Sequence, residues 1–461
     1  MDPRADVVMI GCGAAGAMLT AELFRRANHQ INVTCIEPRA RLGSGLAYST
    51  LKDEHQLNVP ASRMSARHDE PDDFVSWLHA RQLLEHKPSR FFATRRCYAD
   101  YLTDNLGEAL RMGVHHHGLH HEPHRAVSLS RAHGGWLIAL DDGTLLWCEE
   151  VVLALGNLGP ADPPCGLAGI VAAPGYCHDP WAGPWPECDP EAAVAVLGMG
   201  LTAVDIVLSL ERRGHLGPIH VISRHGRWPA AHADDYKPQA WPDGELSGGL
   251  SRLLKAVRRR LAREHDWHDV IDGLRPHTAR LWRGLSDTEK RRFMRHLYSL
   301  WQRARHRMPQ RSARILEHLE ASGQLVRHAT RNLVGKEQGE RIRLQSGISK
   351  ALEVEVLFNA RGASTAVAQS RQPLLTSLLA EGLVRPGPAG LGLDCTEEGL
   401  LLSRAGLPQS GLWTLGPMRQ GVFFETTAVP EIRAQCDALA GRLLARIDGR
   451  LLAGQRSHRL A

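Results

Sequence analysis

The sequence predicts an α/β protein with two Rossmann-like dinucleotide-binding domains, the first discontinuous along the chain, and a helical insertion in the second. Three observations predict this. Gly11-Cys12-Gly13-Ala14-Ala15-Gly16 follows the apolar run Ala5 to Ile10 and leads into a helix-like stretch, Ala17 to Arg26. Gly198-Met199-Gly200-Leu201-Thr202-Ala203 follows Ala193 to Leu197 and leads into a second, Val204 to Arg213. An arginine-rich amphipathic segment, about 247–319, interrupts the strand-rich pattern after the second unit.

The two glycine motifs rest on the same physics. The first glycine permits the tight turn, the second lets a phosphate approach the backbone, and the third small residue lets the helix pack against its strand. Unpaired N–H groups at the helix start then face a pyrophosphate. One such motif is a weak signal. Two in strand–turn–helix context imply two nucleotide sites, and a chain that binds two dinucleotides usually moves electrons between them.

The strands that follow differ. Ile31 to Ile36 is closed by Glu37, where an acid takes the ribose 2′-hydroxyl of FAD or NAD. Ile219 to Ile222 ends in Ser223-Arg224-His225-Gly226-Arg227, with no acid. Arginine at this point pairs with a 2′-phosphate, which favours NADPH over NADH; the alternative is a pair of solvated loop charges.

At 461 residues, 43% hydrophobic and 23% charged, the chain has room for two or three ordinary globular domains with large cores. The opening residues run straight into a nucleotide-binding strand, leaving no room for a signal peptide, and no apolar stretch reaches bilayer length. Nine cysteines are scattered without a Cys-x-x-Cys pair. These features read as a cytoplasmic protein with reduced thiols and no membrane segment. Between Arg252 and Glu317, 18 Lys or Arg face 7 Asp or Glu, a net of +11 against +6 for the whole chain. Apolar residues at helical spacing (Leu253, Leu254, Val257, Leu261) run through this segment, so it reads as amphipathic helices with a solvated basic face and not as a nucleic-acid surface. A basic lid that draws in an anionic substrate is an intermediate reading.

Domain boundaries read as 1–185 for the first part of one nucleotide domain, 190–350 for the second domain with its insertion, and 351–461 for the return to the first. Pro and Gly crowd the stretch Gly159 to Pro190, which reads as a linker. Ser286-Asp287-Thr288-Glu289 matches a capping box, and Val354 to Asn359 reads as one apolar strand. The run His115, His116, His117, His120, His121 and His124 has no acid at helical spacing to complete a metal site. It reads as a solvent-facing connection, with no metal expected.

Longer motifs carry a family resemblance. Arg41-Leu42-Gly43-Ser44-Gly45-Leu46-Ala47-Tyr48-Ser49-Thr50, His55 to Ser65, and the block Leu415-Gly416-Pro417 through Glu425-Thr426-Thr427 to Arg433 resemble a bacterial FAD/NAD(P)-binding group. That group lies within the two-dinucleotide flavoprotein superfamily that includes class B-type flavin monooxygenases. The resemblance implies that Gly11, Gly13, Ala14, Ala15, Gly16 and Glu37 hold the FAD adenosine and pyrophosphate. It places Arg41, Gly43, Gly45, Tyr48, Asn58, Arg95 and Gly156 against the same cofactor, with Gly416, Glu425, Thr426 and Thr427 near its isoalloxazine and ribityl portions. Pro417 stands where most such flavoproteins carry an acid, so that contact must differ. Gly198, Gly200, Thr202, Ser223 and Arg224 would hold NAD(P)H. Arg361 replaces a usually small residue in the returning turn.

The implied activity is that of an FAD-dependent, NAD(P)H-consuming monooxygenase hydroxylating a small anionic substrate through a flavin C4a-(hydro)peroxide, with O2 as co-substrate. His55, Asn58, Arg63 and Arg307 are the candidates for orienting substrate, with Arg275 and Arg303 from the insertion. The arginine-rich insertion suits a small planar or carboxylate anion, and the resemblance alone makes urate the leading named substrate, since some bacterial enzymes of this wider flavoprotein group hydroxylate it. The alternatives are an N-hydroxylating or Baeyer–Villiger-type monooxygenase and an NAD(P)H:flavin oxidoreductase without oxygen insertion.

Overall fold

The computed structural model describes residues 5–113, 115–233, 238–263, 267–346 and 351–460. Two mainly parallel sheets carry the architecture. The first has six strands in the order Leu400–Leu402, Pro408–Thr414, Val151–Leu153, Val7–Ile10, Asn32–Ile36 and Gly118–Glu122. Only the edge strand Leu400–Leu402 runs antiparallel. Val7–Ile10 is buried along its whole length, as a central parallel strand covered on both faces must be. Ala14–Arg26 covers one face and packs against Arg95–Met112 and the long C-terminal helix beginning at Val429.

The second sheet has five parallel strands: Leu325–Ala329, Ile219–Ser223, Val194–Leu197, Val356–Asn359 and Tyr176–Cys177. Two three-stranded antiparallel sheets flank the pair, one from Ala126–Ala132, Gly135–Leu140 and Leu145–Cys148, the other from Leu333–Gln338, Arg341–Ser346 and Leu352–Val354.

The chain crosses between the two sheets twice, and the crossings are paired. The Ala161 N–H donates to the Gly362 carbonyl (2.9 Å) and the Ser364 N–H to the Gly159 carbonyl (2.8 Å). This changes the boundaries drawn from sequence. Tyr176–Cys177 and Val356–Asn359 both belong to the second sheet, so breaks at 185 and 351 fall too late and too early respectively. The proline- and glycine-rich stretch is not a free linker: Cys165–Ile170 packs on Leu333–Gln338, and Leu167 and Ile170 are fully buried. The single strand expected over Val354–Asn359 is split at Glu355, whose N–H turns to the Ala193 carbonyl.

Helices Leu250–Leu261, Trp267–Leu274, Thr278–Gly284, Asp287–His296 and Tyr298–Arg305 form the insertion. Gln310–Ala321 instead packs on Leu201–Arg212 as a covering helix of the second sheet. Ser286 and Glu289 make the reciprocal capping box that starts its helix. The insertion has its own apolar core (Trp241, Val270, Leu274, Trp282), which reaches across to Leu391 and Phe424. The histidine run is also more than a connection. Gly118–Glu122 is the edge strand beside Asn32–Ile36, and buried His117 stacks on Phe24 with ring centroids 5.1 Å apart.

Candidate functional site

The first glycine turn is shaped by contacts that exclude side chains. Gly11 has φ +88°, and a Cβ there would lie 2.6 Å from the Ala154 carbonyl oxygen. A Cβ on Gly16 would lie 2.4 Å from the Gly11 carbonyl oxygen, so this glycine sets the helix-to-strand approach. A Cβ on Gly13 would lie 3.0 Å from the Cα of Gly45, which brings the Gly43–Tyr48 loop onto the turn. Gly13 is the N-cap of Ala14–Arg26, with no side-chain cap and no acid in the first turn. Its donors are therefore left for an anion. Glu37 is buried at the end of the neighbouring strand, and its Oε2 accepts from the Cys12 N–H at 3.1 Å. Gly156, at φ +67°, follows the strand Val151–Leu153, which pairs with Val7–Ile10.

The C-terminal block closes on this turn. Gly416 has φ +70°, and a Cβ there would lie 3.7 Å from the Ala15 Cβ; its N–H donates to Gln435 Oε1 at 2.9 Å. Pro417 occupies the first turn of Gly416–Arg419, where a missing N–H costs nothing. Glu425 is buried and accepts from the Trp301 indole N–H at 2.8 Å, with Arg305 Nε at 3.5 Å. Thr426 is fully buried, and its Oγ1 has no hydrogen-bond partner among the described residues. Thr427 is exposed. A glycine cradle that a Cβ would fill, an uncapped helix start, a carboxylate at the strand end and an orphaned buried hydroxyl together fit the pyrophosphate, ribose and ring portions of FAD.

The second turn repeats the plan more openly. Gly198 has φ +117°, and a Cβ there would lie 2.3 Å from the Ala360 carbonyl oxygen. Gly200 caps Leu201–Arg212 without a side-chain bond or a first-turn acid, and a Cβ on it would meet nothing within 4 Å. Thr202 lies in that helix's first turn. Ser223 Oγ accepts from the Gly226 N–H at 3.0 Å and orders the following loop. Arg224 and Arg361 are both exposed. Burial of part of Arg361 and the nearby Arg224 charge both lower the Arg361 pKa. Two guanidinium groups thus share the rim of this turn. The contribution of Arg361 was missed from sequence, because it arrives 163 residues after Gly198 on the strand Val356–Asn359 and its turn.

Several candidate side chains are engaged elsewhere. Arg95 was expected at the flavin, but its Nη2 lies 2.6 Å from Asp205 Oδ2 on the second unit's helix. Burial pushes the Asp205 carboxyl up to about 6 against the pull of Arg95. His55 is buried in the same seam, with Nδ1 at 2.8 Å from Thr50 Oγ1 and Nε2 at 2.9 Å from Ser209 Oγ. Desolvation, with Arg95 and Lys52 nearby, brings its pKa down to about 4, so it is a neutral bridging ring and not a group free to orient substrate. Arg307 is buried and makes two bonds to Asp272, at 3.0 and 3.3 Å, so it is internally neutralised. Arg275 is bidentate to Glu431 at 2.7 and 2.9 Å. Arg41 is tied to Asp100 and Thr103 of Arg95–Met112.

Arg63 keeps more freedom: its side chain is 39% exposed, with Asp272 3.8 Å away. It lines a polar cleft of about 410 Å³ with Gln56, Phe92, His232 and Gln310. The Asn58 carbonyl accepts from His232 Nε2 at 2.9 Å on one wall. Burial holds His232 at about 4. Tyr48 meets Tyr98 edge to face at 4.8 Å, and burial raises its hydroxyl pKa to about 12. Arg303 is exposed and donates to the Trp228 carbonyl. No helix among the described residues is long and apolar enough to cross a membrane.

Residues 8–158 match the family model described as FAD-NAD(P)-binding. No curated protein matches the chain. Solved structures of the same fold include an ornithine N-hydroxylase from Kutzneria sp. 744, with 16% identity, a TM-score of 0.63, and coverage of 96% of this chain and 100% of that one. An ornithine hydroxylase from Pseudomonas aeruginosa gives 15% identity, a TM-score of 0.63, and coverage of 96% and 99%. A bacillithiol disulfide reductase from Staphylococcus aureus gives 13% identity, a TM-score of 0.57, and coverage of 96% and 99%. The shared fold is that of flavoproteins with two dinucleotide-binding units.

Proposed function

We propose that this chain is an NAD(P)H-consuming, FAD-dependent monooxygenase. The observation that carries the reading is the pairing of one enclosed and one open glycine turn in a single chain. The first suits a resident dinucleotide, the second an exchangeable one. Bound FAD would supply two-electron chemistry and oxygen activation. The remaining work belongs to the protein. The Gly11–Gly16 turn and the start of Ala14–Arg26 bind a pyrophosphate, and Glu37 takes a ribose hydroxyl. Gly416 and the Glu425–Thr427 segment cover the reactive end and exclude water. Arg224 and Arg361 take a 2′-phosphate, which favours NADPH.

The net reaction puts one oxygen atom of O2 into substrate and releases the other as water. NAD(P)H supplies two electrons, and a proton completes the balance. Hydroxylation at nitrogen is preferred to hydroxylation of urate. A solved ornithine N-hydroxylase and a solved ornithine hydroxylase share the whole fold, and Arg275 and Arg307, the arginines proposed to attract a planar anion, are already paired with Glu431 and Asp272. A reductase without oxygen insertion is the second reading, because the S. aureus disulfide reductase shares the fold.

Turnover under isotopically labelled dioxygen separates the two. A monooxygenase places label in an organic product in proportion to NADPH consumed. NADPH oxidation with a disulfide or dye acceptor and no label in any product would overturn the reading in favour of the reductase.

A further inference from the structure

The helical insertion forms a second, half-open pocket of about 510 Å³, whose chemistry is unlike that of the polar cleft at Arg63. Leu253, Val257, Ile271, Trp282, Phe293 and Trp301 are among the side chains that line it. Two of these tryptophans fasten it to the C-terminal block: Trp282 donates to the Gly421 carbonyl at 2.8 Å, and Trp301 to Glu425 at 2.8 Å. Phe424, also in the lining, stacks on Trp282 with centroids 4.6 Å apart.

The Phe424 backbone is strained. Its φ of 66° and ψ of −62°, with the Glu425 N–H donating to the Phe423 carbonyl at 2.8 Å, define a γ-turn of the positive-φ kind. Such turns are rare in non-glycine residues and persist where surrounding structure over-determines them, often at functional sites. Here the strain holds an aromatic ring in the cavity wall, and the next two residues, Glu425 and Thr426, are buried.

Cationic groups also reach the lining. Arg258 is exposed and has no carboxylate within ion-pair distance among the described residues. Arg303 is exposed, and among the described residues its side chain bonds only through Nε, to the Trp228 carbonyl. An apolar container of small-molecule size with a guanidinium at its margin matches a ligand with a hydrocarbon body and one carboxylate.

From this we infer that the substrate of the reaction proposed above is an amphipathic carboxylate whose hydrocarbon part fills the insertion cavity beside Phe424. With hydroxylation at nitrogen, this describes an amino acid with a large apolar side chain, in contrast to ornithine. The inference rests on the monooxygenase reading, but its binding half can be measured without it.

The probes are α-aminodecanoate, decylamine, L-ornithine and urate, titrated calorimetrically into the full-length protein and then assayed for NADPH oxidation. α-Aminodecanoate is expected to bind one to one, and to do so about tenfold more tightly than decylamine, which lacks the carboxylate. It should also accelerate NADPH oxidation, with the hydroxylated amine as product. Ile271→Trp, which fills the cavity, should weaken its binding about tenfold or more and abolish the acceleration, while visible absorbance shows flavin content unchanged. Arg258→Gln should weaken α-aminodecanoate but leave decylamine unaffected, a readout that global misfolding would not give.

Acceleration by ornithine or urate with no binding of α-aminodecanoate would overturn the inference. So would binding that leaves NADPH oxidation unchanged in flavin-loaded protein. Protein that takes up no flavin would instead remove the monooxygenase reading, and that failure is visible before any ligand is added.

Discussion

At the first glycine turn the protein crowds its own backbone: Gly45 lies against Gly13, Ala154 against Gly11, and the Gly416 block against Ala15. At the second turn Gly198 is equally confined by Ala360, but Gly200 faces open space and two exposed arginines stand at the rim. The local motif is nearly the same in both. What differs is the covering contributed by distant segments among the described residues: a loop, a buried acid and the C-terminal block at the first turn, and the Ala360–Arg361 backbone at the second. A strand–turn–helix unit supplies N–H donors that suit a phosphate, and the surrounding chain decides how far the turn is enclosed.

The largest expected effect comes from inverting this contrast with one residue. Gly11→Val forces a β-branched side chain into the Ala154 carbonyl at positive φ, a cost of about 3 kcal/mol or more. The purified variant should be colourless, with a lowered melting temperature. Gly200→Val places its Cβ where no described protein atom lies within 4 Å. It should keep flavin and melting temperature and lose NADPH affinity alone. Loss of flavin from both variants would erase the distinction between the turns.

The arginine rim should give an intermediate effect. Arg224→Ala and Arg361→Ala are each expected to raise the KM for NADPH by about tenfold or more, since a charge-assisted bond to phosphate contributes about 1.5–3 kcal/mol. The KM for NADH should change little. Equal effects on both nucleotides would show that neither guanidinium reads the 2′-phosphate.

The smallest effect concerns the seam between the units, where Arg95–Asp205 and His55–Ser209 meet. His55 and His232 fall from 6.5 to about 4 on folding, so below about 6.5 the unfolded chain binds more protons at these sites. Their contribution to stability therefore rises as pH increases from about 4 to 6.5. Asp205 rises from 3.8 to about 6 and acts in the opposite direction over much of the same window. The two histidines outweigh the one acid, so melting temperature should climb across this range. Asp205→Asn should steepen the climb and His55→Gln flatten it, each by about 2–4 °C. A melting temperature that falls between pH 4 and 6.5 would contradict this balance.

The glycine turns, Glu37 and the two central strands could be read from sequence because each is encoded by adjacent residues: an apolar run, a small-residue turn and a helix with an uncapped start. The capping box at Ser286 was legible for the same reason. The partners of charged side chains were not. Asp272, Asp205 and Glu431 lie 35, 110 and 156 residues from the arginines they neutralise, and spacing along the chain carries no record of such pairs. The insertion's basic composition therefore pointed to an anion site, whereas folding satisfies several of its charges internally and turns its apolar face into a cavity. The γ-turn at Phe424 had no sequence signal, since an aromatic residue at positive φ runs against local preference.

One consequence concerns biosynthesis. The strand Pro408–Thr414 sits between Leu400–Leu402 and Val151–Leu153 in the first sheet, so that layer cannot be completed until Thr414 has been made. The second sheet closes earlier, once Val356–Asn359 is made. The nascent chain can therefore close its second sheet while the first still lacks an inner strand, and the glycine turn of the first sheet gains its full framework later than the other.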